Sequence, residues 1–200
     1  MMSESRLLIA ELDSTLQRVS SSQHLTMLRG VTDLFINGAE TFADEHVAIF
    51  DDVIGRLIDK ADRTALAELS GRLAAVGNAP ANVIDRLARH EDIAIAGPIL
   101  QKCTVKDQTL VEIAGSKGEK HLNAIAGRPQ ISEAVTDVLV GRCTVETARK
   151  ITENKGASLS EVGFVKLINR AKGDKALAAA IESRGDMPPE LEPFLKLTLA

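Results

Sequence analysis

The feature that most constrains this chain is a short apolar pair that recurs. Leu57-Ile58, Leu87-Ala88, Ile113-Ala114, Leu139-Val140 and Leu167-Ile168 follow one another at steps of 30, 26, 26 and 28 residues. After each pair a polar or glycine-containing break leads to a second apolar patch: Leu69/Leu73, Ile95/Ile99, Leu122/Ile125, Val145/Ala148/Ile151 and Leu177/Ile181. A period of this size marks a stack of two-helix units, in which each unit leaves a face that only the next can cover.

Local signals divide the chain into helices. Leu8, Leu12, Leu16 and Val19 keep helical spacing over about Glu4–Val19, and Ser20-Ser21-Ser22 breaks that run. A second helix, about Gln23–Asn37, is expected to stop at Gly38 in the left-handed conformation. Asp44–Ala61 and Asp62–Val76 follow. Then come shorter segments: Ala81–Arg89, one capped by Asp92, Asp107–Gly115, Glu119–Gly127, Ser132–Gly141, Thr144–Glu153, Ser160–Ala171 and Asp174–Ser183. Gly97-Pro98 reads as a kink or the start of a shorter helix, since an interior proline costs about 3 kcal/mol. The tail Leu191–Ala200 reads as a terminal helix or strap over the last unit, or as a sticky end that dimerises. No segment alternates apolar and polar residues as a half-buried strand does.

Composition narrows the function classes. Aromatics are 2% of the chain, with no Trp and no Tyr, so the core must be built from Leu, Ile, Val and Ala. The same scarcity argues against stacking platforms for single-stranded nucleic acid. Residues 1–100 hold 9 Lys/Arg against 15 Asp/Glu, and residues 101–200 hold 15 against 13. Over 142–175 eight basic residues face four acidic ones. That stretch is either a solvated helix surface or a docking patch for an acidic partner, with Arg142, Arg149, Lys150 and Arg170 as the candidates. The net charge of −4 gives no reason to expect nucleic acid as a partner. The chain opens without a basic region followed by an apolar run, and no stretch reaches the 18 or more apolar residues of a membrane span, so a cytoplasmic location is expected.

Reactive constellations are scarce. His24, His46, His90 and His121 form no ligand-spaced pair, and Cys103 and Cys143 lie far from any CxxC spacing, so no metal site, cofactor or catalytic residue is expected. There is no GxSxG and no P-loop frame around Ser116-Lys117-Gly118.

Several motifs in order carry a family resemblance. They are Thr32-Asp33-Leu34-Phe35, Phe50-Asp51-Asp52-Val53, Ala79-Pro80, Ile95-Ala96-Gly97-Pro98-Ile99-Leu100, His121-Leu122-Asn123-Ala124-Ile125, Val135-Thr136-Asp137-Val138-Leu139-Val140, Asn154-Lys155-Gly156-Ala157, Gly163-Phe164 and Arg184-Gly185-Asp186-Met187-Pro188. Over about residues 25–190 the chain resembles the bacterial domain of unknown function 2336. The resemblance implies a helical-repeat domain akin to HEAT and armadillo arrays, and carries no reaction with it.

The resulting expectation is an all-α chain of about 12–13 helices, stacked as short hairpins in a right-handed-type α-solenoid. A helical lobe over residues 1–76 and a helical-repeat lobe over 77–200, ending in the capping tail, would form one continuous body. Its expected function is non-enzymatic: a scaffold or regulatory adaptor for a protein partner, with a homodimer through the C-terminal tail as an option. The alternative is a small-ligand or nucleotide sensor that binds an anion between lobes, near Gly97-Pro98 and His121.

Overall fold

The computed structural model describes residues 21–199, so the helix expected over Glu4–Val19 lies outside the described residues. Twelve α-helices account for most of the described chain, and no strand is present in it. They are α1 (Ser21–Gly38), α2 (Asp44–Ile58), α3 (Arg63–Leu73), α4 (Ala81–Ala88), α5 (Ile93–Lys102), α6 (Asp107–Ser116), α7 (Glu119–Ala126), α8 (Glu133–Arg142), α9 (Val145–Glu153), α10 (Glu161–Arg170), α11 (Lys175–Glu182) and α12 (Glu192–Leu199). Short 3₁₀ turns at Ala39–Thr41 and Pro189–Leu191 complete the set.

Helices of eight to ten residues do not persist alone in water. Here polar groups hold their ends. Asp62, Asp92, Thr144, Ser160 and Asp174 each accept a hydrogen bond from a backbone N–H in the first turn of α3, α5, α9, α10 and α11. Each such cap contributes about 1 kcal/mol. Pro80 has no side-chain acceptor to offer α4, and the buried carboxylate of Asp51, on α2, accepts from the N–H groups of Asn82 and Val83 instead. Glu119 accepts in the same way from the backbone N–H and hydroxyl of Thr144, and Asp137 accepts from the hydroxyl of Ser160.

Two sequence readings change. Gly38 has φ −108° and runs into the 3₁₀ turn, and Gly173 alone of the described glycines has positive φ. What demands glycine at 38 is the Phe42 ring, which occupies the space a Cβ would need. Helix α5 runs on through Pro98, so no shorter helix starts there.

The packing is by alternate helices. α3 packs on α5, α5 on α7, α7 on α9 and α9 on α11, while α2 packs on α4, α6 on α8, α8 on α10 and α10 on α12. The first apolar residue of each recurring pair, Leu57, Leu87, Ile113, Leu139 and Leu167, is buried on an even-numbered helix. The second patches fall on odd-numbered helices, where Leu69, Leu73, Ile95, Ile99, Leu122, Ile125, Ala148, Ile151, Leu177 and Ile181 are buried. The core is aliphatic throughout, apart from Phe164 and a cluster of Phe35, Phe42 and Phe50 near the start. Between α4 and α6 a cleft of about 500 Å³ opens, bridged by Asp85 to the Thr109 hydroxyl and by Arg89 to Glu112.

Candidate functional site

The side chains that join one helix to the next also decide what the basic stretch can do. The carbonyls of a helix's last turn have no partner within the helix, and they carry the negative end of its dipole. In this molecule arginines and lysines from some 25 to 32 residues later supply the donors. Arg128 donates to the carbonyls of Leu100 and Cys103 at the end of α5. Arg142 donates to those of Ala114 and Lys117 at the end of α6, and Arg170 to those of Val140 and Cys143 at the end of α8. Arg184, its side chain only 8% exposed, reaches the carbonyls of Thr152, Asn154 and Ala157, pairs with Asp186 and lies over the Phe164 ring at 5.8 Å.

The four cations named from sequence are therefore placed as follows. Arg142 and Arg170 hold carbonyls of an earlier helix. Lys150 donates to the backbone and side-chain oxygens of Asn123, at 2.8 and 3.0 Å. Arg149 pairs with Asp174 at 3.3 Å. The structure brings them together by periodicity rather than into one pocket: each touches a different helix end. Arg142 is exposed and the other three are half-buried.

Sequence reasoning missed Arg128, Arg184 and Asn154. Asn154 donates to the carbonyls of Ala126 and Arg128 while its own Oδ1 accepts from the Gly156 N–H. This turn lies so close to the preceding one that a Cβ on Gly156 would overlap the Pro129 carbonyl oxygen. Ile131 and Ala157 then pair as a single parallel bridge. The signal that could have found these residues is spacing, since Arg142 and Arg170 lie 28 apart, as Leu139 and Leu167 do.

Beside Arg128 lies an open cleft of about 630 Å³, lined by Lys102, Asp107, Gln130, Ser132 and Ser158 among others. Burial lowers the pKa of the Arg128 guanidinium from its ordinary value. The Nε of Arg128 and the hydroxyl of Ser132 are buried there without a hydrogen-bond partner. A second groove, of about 660 Å³, runs between α5 and α7 past Gly97 and Pro98. His121 does not line it; its Nε2 is turned to the His90 carbonyl at 3.0 Å.

The two thiols are closed to chemistry at neutral pH. Burial pushes both Cys103 and Cys143 up to about 11, and their residues are 4% and 3% exposed. Among the described residues no three His, Cys, Asp or Glu side chains gather as metal ligands, and no helix is long and apolar enough to cross a membrane.

The model of the bacterial family described as "uncharacterised protein conserved in bacteria (DUF2336)" matches residues 95–192. Over that span the chain belongs to DUF2336. The match starts inside α5 and ends on the first residue of α12, later than the resemblance read from about residue 25. The DUF2336 span holds Arg128, Arg142, Arg170 and Arg184 with all the carbonyls they bind, and the Asn154–Gly156 turn. No curated protein and no solved structure matches the chain.

Proposed function

We propose that this protein is a non-enzymatic scaffold or regulatory adaptor of the cytoplasm, built as a right-handed-type α-solenoid of HEAT/armadillo-like hairpins, that presents one face to a protein partner. The observation that carries the reading is the regular linkage of alternate helices. Row contacts, buried apolar pairs and cation-to-carbonyl bonds all return after about one hairpin's length. Arrays joined in this way offer long, continuous surfaces, and those suit chain-like or helical partners.

An acidic partner surface is the natural complement for Arg142, Arg149, Lys150 and Arg170, whose outer edges add to the lysines at 155, 172 and 175, which have no ion pair among the described residues. Self-association through the tail has its own support: Phe194 is 58% and Leu197 75% exposed on α12.

Affinity capture of the full chain from its native cell, read by mass spectrometry, tests the scaffold reading. One protein recovered in stoichiometric amount, and recovered again with the tag moved, is the expected result. A thermal-shift panel of nucleotides and metabolites tests the sensor alternative, for which the cleft at Arg128 and Ser132 is the better-placed site. A saturable shift with one compound, together with no captured protein, would replace the scaffold by the sensor.

A further inference from the structure

We infer that the groove between α5 and α7 is a docking site for an acidic amphipathic helix of a partner protein; this rests on the scaffold reading above and names its contact surface. The floor of the groove is small and apolar. Ala94, Gly97 and Pro98 come from α5 and Ala124 from α7, with Ile93 closing one end. Small residues let a third helix approach two packed ones closely.

Gly97 is the telling residue. Glycine in a helix interior weakens the helix relative to alanine. Nothing inside the chain demands it here, because an added Cβ would meet only the Ile93 side chain, at 3.6 and 3.7 Å, an ordinary contact. Its neighbour Pro98 has no N–H to return to the Ala94 carbonyl. Two residues that a helix disfavours thus stand side by side in the groove lining, Pro98 half-buried and Gly97 buried beside Ile93.

Charge selects the occupant. Lys102 and Lys120 line the groove, and neither has an ion pair or hydrogen bond among the described residues. The one carboxylate on the rim, Glu119, is engaged with Thr144. Helices α5 and α7 run in the same direction, since His121 at the start of α7 meets His90 before α5, and Arg128 after α7 meets the end of α5. Lys120 and Lys102 therefore stand at opposite ends, separated along the axis by eight residues of helix, about 12 Å. The fitting partner carries two carboxylates seven or eight residues apart, with small apolar residues between them on the same face.

The test is selection of a phage-displayed library of 18-residue peptides on the full-length protein, followed by fluorescence anisotropy of the enriched peptides. Enriched sequences should hold an acidic pair at that spacing. Lys102→Glu with Lys120→Glu should weaken them at least tenfold, and Ala94→Met, a substitution at an exposed position, should do the same by filling the groove. Gly97→Ala should weaken them while leaving Tm equal or higher, which separates docking from folding. Peptides that bind the lysine double variant and Ala94→Met within twofold of the parent, enrichment without an acidic pair, or no enrichment would each overturn the groove. A native partner captured equally by parent and groove variants would also overturn it, yet leave the scaffold reading standing. Failure of capture itself tells against the scaffold.

Discussion

The helices before about residue 92 and those after it are joined by different bonds. In the first region cations meet carboxylates: Arg29 with Glu68, Arg72 with Asp33, Arg86 with Asp59 and Arg63 with Asp92. In the second, Arg128, Arg142, Arg170, Arg184, Lys150 and Lys166 reach backbone carbonyls. Arg149 with Asp174 is an exception there, as is Arg86 with the Gly55 carbonyl in the first region. The separations differ too. Arg29–Glu68 and Arg72–Asp33 span 39 residues, because α1 and α2 are long, whereas the later links mostly span 25 to 32.

The contrast accounts for the basic side of the uneven charge. An ion pair uses one acid for each base, so such links leave the charge balanced. A carbonyl accepts from a guanidinium without adding a formal charge, so the second region accumulates a surplus of bases. Of the eight basic residues in 142–175, Arg142, Lys150, Lys166 and Arg170 have a backbone carbonyl as partner and Arg149 has Asp174. The surplus follows from how helix ends are satisfied, before any partner is considered.

The largest effect should come from the most enclosed of these cations. Arg184→Ala removes donors from three carbonyls and leaves Asp186 without its partner, a loss of about 3–5 kcal/mol. Chemical denaturation should show it as a lower midpoint. Arg184→Lys should recover only part, because an ammonium cannot fork across separate acceptors as a guanidinium does. Full recovery by lysine would reduce the contact to simple charge.

Gly156→Ala should come next, at about 3 kcal/mol, because the Pro129 carbonyl cannot retreat without opening the Ile131–Ala157 bridge. The cause is steric, since Gly156 is not in the left-handed region. Gly71→Ala, in α3 with open space around its Cβ position, is the matched control in the first region and should keep or raise Tm.

How far the sequence led can be judged on particular residues. Helix positions were legible because the caps are side chains printed in the sequence: Asp92 caps where expected, and Thr144, Ser160 and Asp174, read only as helix starts, cap those helices. The recurring aliphatic pairs were legible because burial on a helix repeats at fixed spacing. The partners of the cations were not, because a backbone carbonyl leaves no mark in a sequence. Arg170 and Arg149 look alike on a charge count, yet one meets Val140 and Cys143 and the other meets Asp174. Gly38 looked like a left-handed stop and Gly97-Pro98 like a kink or a helix start. Their roles depend on the Phe42 ring and on an open groove, which only three dimensions reveal.

Acid should act on both regions: in the second, the Leu177 N–H holds Asp174 low and Arg184 holds Asp186 low, as cations hold carboxylates of the first. Asp85 is pushed up by burial but pulled further down by Arg89 and the Thr109 hydroxyl, so its carboxyl sits below the ordinary range. Glu68, Glu91 and Asp92 are lowered as well, chiefly by hydrogen bonds from Arg29, Lys117 and Arg63. A lowered folded pKa contributes stability that is complete above the unfolded value, near 4, and is lost as pH falls through the folded value. Tm should therefore hold from pH 7 to about 5 and fall steeply below 4. Asp85→Asn should lower Tm at pH 7 and flatten that fall, with parent and variant converging in acid. Parallel curves at all pH values would remove Asp85 from the account.

The smallest effect is the one that isolates the comparison. Arg29 and Arg72 make exposed ion pairs, whose attraction is screened to a range of about 3 Å in 1 M salt. Arg29→Gln with Arg72→Gln should lower Tm slightly at low salt, and the difference should vanish in 1 M NaCl. Arg170→Gln leaves the carbonyls of Val140 and Cys143 without donors in a half-buried site, where ions do not substitute for a hydrogen bond. Its deficit should persist at the same salt concentration. If both deficits vanished together, the guanidinium–carbonyl contacts would be surface electrostatics like the ion pairs, and the distinction between the two regions would collapse.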